Sequence, residues 1–317
     1  MKRGMIMAVL VVALCNLFSL TSFAQGVIVY KNDGTRIKIP YNQLDSIATY
    51  TYEEGQDDVD ENAAVKEYTV GGVTFKMIKV EAGTFRMGST DGDSDEQSVH
   101  SVTLSSDYYI GETEVTQELW AAVMGTNPSY FTSDSRLPVE KVSWNDCQTF
   151  ITKLNALTGA SFRLPTEAEW EFAARGGNKS QGYTYSGSNK ISNVAWYGTN
   201  SGSKTHVVKT KKPNELGIYD MSGNVYEWCS DWYGSYSSAP VTDPTGPTAG
   251  SHLVYRGGSW FCSATSCRCA NRNGSYSPML TYSGIGLRLA SASLVPNRGG
   301  RTESISAPFP DGERQMW

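Results

Sequence analysis

Residues 162–177 read FRLPTEAEWEFAARGG, and this run indicates local structure at both of its ends. Thr166 and Glu169 form a capping box, in which the threonine hydroxyl and the glutamate carboxylate each accept a backbone N–H at the start of a helix. Gly176 is typical of a helix end, because glycine takes up positive φ without strain. The run therefore predicts a short helix that begins after Thr166 and closes near Gly176.

Two further helices are predicted upstream by the same signals. Thr116 can cap a helix that runs through Val123 and stops at Gly125. A longer helix is expected to open at Ser143 and Asp146 and to end before Gly159. We expect its buried face to consist of Cys147, Phe150, Ile151, Leu154 and Leu157.

The composition describes a loop-rich globular protein. Among 317 residues there are 31 glycines, 18 tyrosines and 8 tryptophans, which indicates aromatic packing between loops in place of a helical bundle. The 27 basic and 32 acidic residues nearly balance, so the chain lacks the basic surface of a nucleic-acid-binding protein.

The first 24 residues are typical of a secretory signal peptide. Lys2 and Arg3 precede an apolar run, and small residues lead to an expected cleavage site after Ala24. The alternative, an uncleaved membrane anchor, is disfavoured because the apolar run is short for a membrane span. We therefore expect an exported protein that is periplasmic, on the cell surface or secreted, with no membrane span once the signal is removed.

Four regions follow the predicted signal peptide. Residues 25–52 alternate in polarity around an Asp33-Gly34 turn and predict a small β-element, with a further strand over 47–52. This element either packs on the rest of the protein or docks to a partner. Residues 53–67 form an acidic linker, residues 68–290 the main domain, and residues 291–317 a tail rich in proline, glycine and arginine.

Two more runs complete the pattern: residues 220–232 read DMSGNVYEWCSDW, and residues 257–267 read GGSWFCSATSC. With residues 162–177, they resemble the formylglycine-generating enzyme family, also called sulfatase-modifying factors, from about Tyr68 to Ala290. The resemblance implies an α+β fold, a C-type-lectin-like domain with little regular secondary structure. It also implies oxidation of a client sulfatase cysteine to formylglycine, with copper and O2.

The resemblance assigns the chemistry to Ser259, Cys262 and Cys267. A pair of thiolates is a soft donor set suited to Cu(I), and the serine occupies the family's active-site position. The alternative is that the cysteines form a disulfide or remain buried thiols. Arg268 and Cys269 follow at once, so the loop after Cys267 is shorter than in the enzymes.

A calcium site is expected at Asp220, Gly223, Val225 and Glu227. Carboxylates alternating with backbone carbonyls supply the hard oxygen ligands that calcium prefers, and the family binds calcium at this motif. The alternative is that the two acidic residues cap turns without an ion. A second family calcium site, near Asn193, lacks a clear downstream carboxylate.

Several charged residues look catalytic by type but are expected to form structural ion pairs. They are Arg163, Glu167, Glu169, Arg175 and Arg288.

The residues and the resemblance together leave two functions open. The first, which the resemblance implies, is an exported oxidase acting on a Cys-x-Pro-x-Arg segment of a sulfatase. The second is a catalytically inactive, calcium-stabilised binding or assembly module with a partner in the cell envelope. A third, an iron enzyme, would need a histidine-rich motif, whereas His100, His206 and His252 are scattered.

Overall fold

The computed structural model describes residues 63–274 and 277–293, and the backbone of three strands before them. The chain divides into two compact units, residues 1–60 and 61–317. In the first unit, β1 (Leu20–Phe23), β2 (Gly26–Tyr30) and β3 (Arg36–Pro40) form an antiparallel sheet in that order. Tyr30 lies opposite Arg36, so the predicted hairpin is confirmed. The β1 strand lies within the predicted signal peptide, and the expected strand at 47–52 falls outside the described residues.

The second unit contains three α-helices and twelve short strands among its described residues. The helices are α1 (Gln117–Met124), α2 (Trp144–Thr158) and α3 (Glu167–Ala174). The strands are β4 (Val65–Val70), β5 (Val73–Val80), β6 (Gly83–Met87), β7 (His100–Leu104), β8 (Tyr108–Gly111), β9 (Phe162–Arg163), β10 (Tyr226–Trp232), β11 (Val241–Thr242), β12 (Leu253–Arg256), β13 (Arg272–Asn273), β14 (Ile285–Gly286) and β15 (Ala290–Ala292).

These strands form three sheets, with the orders β4-β5-β8-β15-β9, β11-β7-β6 and β13-β12-β10-β14. Helices and strands share two hydrophobic cores, one around Trp228 and Phe150 and the other around Trp170 and Phe172. The fold is therefore α+β, as expected. Strand β4 begins inside the predicted linker 53–67, and β15 ends beyond residue 290, so regular structure extends past both predicted limits of the main domain.

All three predicted helices are present with the expected N-caps, but α3 ends one residue before the predicted Gly176, with Arg175 as its C-cap. Ser143 and Thr166 each take part in a complete capping box, while Gly125 and Gly159 close their helices in the left-handed conformation. One expectation was wrong: Leu157 is 60% exposed, because the last turn of α2 extends past the core. None of the helices in the described part of the chain has the length and apolar character needed to span a membrane.

Candidate functional site

A sharp turn after β12 places the predicted copper ligands. Gly257 and Gly258 both adopt positive φ, 99° and 75°. A Cβ atom at Gly258 would lie 2.6 Å from the Sγ atom of Cys267. Only glycine allows the backbone to turn this closely over a thiol.

The predicted residues Ser259, Cys262 and Cys267 lie together behind this turn. The Sγ of Cys262 lies 3.2 Å from the Oγ of Ser259 and donates to the hydroxyl of Tyr226 at 3.3 Å. The backbone N–H of Ser259 donates to the Cys267 thiol. Both cysteines are free, as are the three other cysteines in the described part of the chain. Cys262 and Cys267 are therefore a pair of buried thiols and do not form a disulfide.

Burial governs the charge state of this dithiol. Desolvation raises the pKa of Cys267 well above its usual range, the neighbouring Cys262 raises it further, and the Ser259 N–H opposes both effects. Burial also raises the pKa of the Tyr226 hydroxyl. Two thiols that influence each other electrostatically are the type of donor that suits a soft cation such as Cu(I), which would have to displace a proton from Cys267 on binding.

Cys269 lies apart from the dithiol. Its Sγ contacts the carbonyl of Ala174 at 3.5 Å, and it belongs to the core around Trp170, whereas Cys262 and Cys267 belong to the other core. Side chains two residues apart thus enter different cores.

The predicted calcium motif lies beside a buried ion pair. Arg288 donates from Nη2 to Glu227 Oε1 at 2.7 Å and from Nε to Oε2 at 2.9 Å. The indole N–H of Trp170 donates to the same Oε2 at 2.7 Å. Arg288 is therefore the internal anchor that the sequence predicted, and its partner is a predicted calcium ligand.

Two further carboxylates join this pair, so that Glu114, Asp220 and Glu227 face one guanidinium. Burial raises the pKa of Asp220 to about 6, with repulsion from Glu227 as a further cause. Burial followed by repulsion from Asp220 raises the pKa of Glu114 well above its usual range. A cavity of about 270 Å³ reaches Glu114. Three buried carboxyl groups therefore surround one guanidinium, and burial favours the neutral form of two of them.

The two predicted backbone ligands connect this cluster to the dithiol turn. Gly223 adopts φ 82° and donates its N–H to the carbonyl of Gly257 at 2.7 Å. Val225 donates its N–H to Glu114 Oε1 at 3.0 Å. Asp220, at φ 58°, accepts the Lys209 N–H at 2.6 Å.

The charged residues of α3 form structural pairs, as expected. Arg163 pairs with Glu169 at 2.6 Å, Arg175 with Glu171 at 2.7 Å, and Arg272 with Glu167 at 2.7 Å.

Among the described residues, the group of three close metal-ligating side chains is Asp93, Asp95 and Glu96, which contains no histidine. Arg268 pairs with Glu96 at 2.5 Å. This arrangement gives no support to an iron centre.

An aromatic surface lies next to the dithiol, and the sequence did not predict it. We define the aromatic ridge as Tyr130, Phe131, Trp260, Phe261 and Tyr282. Successive ring centroids lie 4.9, 5.3, 5.1 and 6.0 Å apart, each pair in an edge-to-face arrangement. Tyr130 is 68% and Phe261 48% exposed. The ridge joins three separate loops, at residues 130–131, 260–261 and 282. Trp260 and Phe261 stand directly between Ser259 and Cys262 in the sequence.

Known proteins match the domain that carries these features. A profile of the sulfatase-modifying factor enzyme 1-like domain matches residues 62–293. The chain belongs to the sulfatase-modifying factor family. It is 39% identical to the chaperone protein LppX of Paenibacillus barcinonensis over 241 residues, which cover 60% of this chain and 80% of that protein. It is 38% identical to the formylglycine-generating enzyme of Streptomyces coelicolor over 171 residues, 48% of this chain and 52% of the enzyme.

Among solved structures, Treponema denticola variable protein 1 is similar with a TM-score of 0.68 and 40% identity, covering 73% of this chain and 100% of that one. The chain spans about half the length of the Streptomyces coelicolor enzyme, so family membership establishes the fold without establishing catalysis. The relatives include a protein named as a chaperone and one named as a formylglycine-generating enzyme.

Three features of the site were missed from sequence: Glu114, Tyr226 and the aromatic ridge. Glu114 lies more than a hundred residues before its partners, and no local spacing connects them. The Tyr130-Phe131 pair in a polar loop was the available signal, because adjacent exposed aromatics are uncommon without a binding role.

Proposed function

We propose that this domain is a binding module that takes up an extended polypeptide segment along the aromatic ridge. The observation that carries the proposal is the continuous, partly exposed row of five aromatic rings. Rigid aromatic side chains bury large areas at little entropic cost, which makes them the usual anchors of protein interfaces.

Features of the ridge support a polypeptide as the occupant. Trp260 is held by hydrogen bonds from its N–H to Asn224 O and from its indole to Ser283 O, both at 2.8 Å, so the ridge is ordered before binding. Met279, 71% exposed, lies in the same loop as Tyr282 and adds flexible apolar surface. Relatives named as a chaperone and as a formylglycine-generating enzyme are consistent with a protein ligand.

The test is fluorescence polarisation with short labelled peptides that contain a Ser-x-Pro-x-Arg core, in which serine prevents oxidation. Tyr130→Ala and Phe261→Ala combined should weaken binding at least tenfold, about 1.4 kcal/mol. The matched control is Val65→Ala with Leu157→Ala, two exposed apolar residues outside the ridge, which should bind like the wild type. Equal loss in both double variants, or binding of oligosaccharides and not peptides, would refute the proposal.

A second candidate is favoured by the cluster of Ser259, Cys262 and Cys267. Here the bound segment presents a cysteine of a sulfatase client, which is oxidised to formylglycine. O2 takes two electrons from this cysteine and two from an added thiol reductant, the client sulfur leaves as sulfide, and one water is formed. Cys262 and Cys267 would hold Cu(I), which when bound supplies a site for reaction with O2. Ser259 would orient the dithiol through its hydroxyl and its N–H, and Tyr226 would fix the Cys262 thiol.

Mass spectrometry of a Cys-x-Pro-x-Arg peptide, incubated in air with copper-loaded protein and a thiol reductant, tests this candidate. Conversion of the thiol to an aldehyde should depend on both Cys262 and Cys267, while Cys269→Ser, in the other core, serves as the control. Peptide binding without aldehyde formation would support the binding module and exclude the oxidase.

We further propose that calcium binds the carboxylate cluster. Asp220 and Glu227, with the carbonyls of Gly223 and Val225, are the proposed ligands, and the gathering of three carboxyl groups around one guanidinium supports this. Export through a signal peptide remains part of the proposal.

A further inference from the structure

Glu140 is a fully buried carboxylate below the first two rings of the aromatic ridge. Its Oε1 accepts the backbone N–H of Tyr130 at 2.5 Å and that of Phe131 at 2.8 Å. The N–H of Glu140 in turn donates to the Oγ of Ser129 at 3.1 Å. One side chain therefore fixes the backbone of two consecutive ridge residues.

Neutral groups complete the support of this loop. The Gln117 amide donates to the carbonyl of Phe131 at 2.7 Å, and Asn127 donates to Gln117 Oε1 at 2.8 Å. Helix α1 thus holds the carbonyl side of the loop and Glu140 holds the amide side. Tyr130 is 68% exposed although its backbone is fastened to a buried carboxylate.

Glu140 has two further properties that a purely structural anchor does not need. Its second oxygen, Oε2, is buried and without a hydrogen-bond partner. Burial raises the pKa of this carboxyl to about 7; the amides of Phe131 and Tyr130 oppose the shift, and so does Lys141 as the charged neighbour. The Gln117 amide of α1, which donates to the carbonyls of Phe131 and Pro138, supports the same loop without carrying a charge.

We infer that Glu140 is the positioning residue of the aromatic ridge and that its negative charge is what holds Tyr130 and Phe131 in their binding arrangement. A carboxylate accepts two amides on one oxygen more strongly than a neutral carboxyl does. Protonation therefore loosens the loop, and the ridge binds its ligand less tightly in mildly acidic solution. The effect on ligand binding rests on the proposed binding function, whereas the positioning of Tyr130 and Phe131 by Glu140 does not.

The geometry is tested without any ligand, by NMR of the full chain labelled with ¹⁵N-tyrosine and ¹⁵N-phenylalanine. The amide protons of Tyr130 and Phe131 should titrate together between pH 5.5 and 8.5, moving upfield as the carboxylate takes up a proton. Glu140→Gln keeps the acceptor oxygen and removes the charge, so it should abolish this titration. The control Glu118→Gln removes a nearby carboxylate that bonds Ser135 and should leave the titration intact.

Binding is then measured with the Ser-x-Pro-x-Arg peptides at pH 8 and pH 6. We expect about fivefold weaker binding at pH 6 for the wild type, because two charge-assisted hydrogen bonds become neutral ones, and no such pH effect for Glu140→Gln. Amide shifts that stay constant in the wild type, or that titrate equally in Glu140→Gln, would overturn the inference even if peptides bind. A normal amide titration with no peptide binding would refute the binding function and leave the positioning role standing.

Discussion

Replacement of Arg288 by methionine tests the buried carboxylate cluster most directly. The guanidinium is fully buried and makes hydrogen bonds to both oxygens of Glu227 and to the carbonyls of Gly111 and Tyr219, the last two at 2.8 Å. Methionine preserves much of the volume but removes every donor. Three carboxyl groups would then share the interior without the guanidinium, leaving the more distant Lys211 as the positive charge that acts on Asp220.

The expected cost is large. Breaking a buried ion pair by removing one partner destabilises a protein by about 3–5 kcal/mol, and each carbonyl that loses its donor adds about 1–3 kcal/mol. These costs overlap, so we expect a loss of at least about 4 kcal/mol. At roughly 2–4 °C per kcal/mol for a domain of this size, the unfolding midpoint should fall by about 8–16 °C.

The pH dependence adds a second readout. Burial raises the pKa of Asp220 from 3.8 to about 6, so this carboxyl destabilises the fold once it ionises. Its unfavourable contribution is absent below about pH 4 and grows until the pH has risen past about 6. Acidification from pH 7 to pH 5 should therefore restore part of the stability of Arg288→Met.

Urea denaturation followed by tryptophan fluorescence measures both effects, with chelator present to remove calcium. The control is Arg136→Met, because Arg136 is 62% exposed in its pair with Asp134 and should contribute less than about 1 kcal/mol. If Arg288→Met lies within about 1 kcal/mol of the wild type, the guanidinium is not the counter-charge of this cluster.

Three shorter predictions concern the proposed calcium ion, the Gly257-Gly258 turn and the predicted signal peptide. Removal of calcium by a chelator should lower the thermal midpoint by several degrees, since an ion that binds only the folded state stabilises it by mass action. The variant Asp220→Asn should lose this dependence, which differential scanning calorimetry would reveal. Gly258→Ala should destabilise the fold by at least about 1–2 kcal/mol in the same measurement, because its φ is positive and a Cβ would lie 2.6 Å from the Sγ of Cys267. N-terminal sequencing of exported protein should begin at Gln25.

The local features of the fold could be predicted because their causes are local. Thr116, Ser143 and Thr166 each cap a helix through a backbone amide three residues ahead, and such a pattern is complete in the sequence. Leu157 shows the limit of this reasoning: helical spacing places it on the apolar face, but the end of α2 extends beyond the core that would cover it.

The dithiol and the carboxylate cluster could be predicted only through the family resemblance, because the residues of each site come together only in the folded chain. Cys262 and Cys267 are close in sequence, yet the hydroxyl that fixes Cys262 comes from Tyr226 on β10. Glu114 and Arg288 come from opposite ends of the domain. Pair interactions at these separations follow from sheet topology, which no spacing within the sequence encodes.

Strand β10 contributes residues to both the dithiol site and the carboxylate cluster. Tyr226 hydrogen-bonds Cys262 in one core, while Glu227, the next residue, pairs with Arg288 and Trp170 on the other side of the strand. Successive side chains of a strand point to opposite faces, so a shift of β10 moves both contacts together. Loss of the Arg288 anchor should therefore loosen the Tyr226–Cys262 hydrogen bond as well.

We expect faster labelling of Cys262 by a maleimide in Arg288→Met than in the wild type, measured under native conditions by peptide mass spectrometry. Cys147, which is buried in α2, provides the internal control for global unfolding: equal acceleration at both cysteines would mean that the variant merely unfolds more often, and unchanged labelling of Cys262 would mean that the two sites are independent.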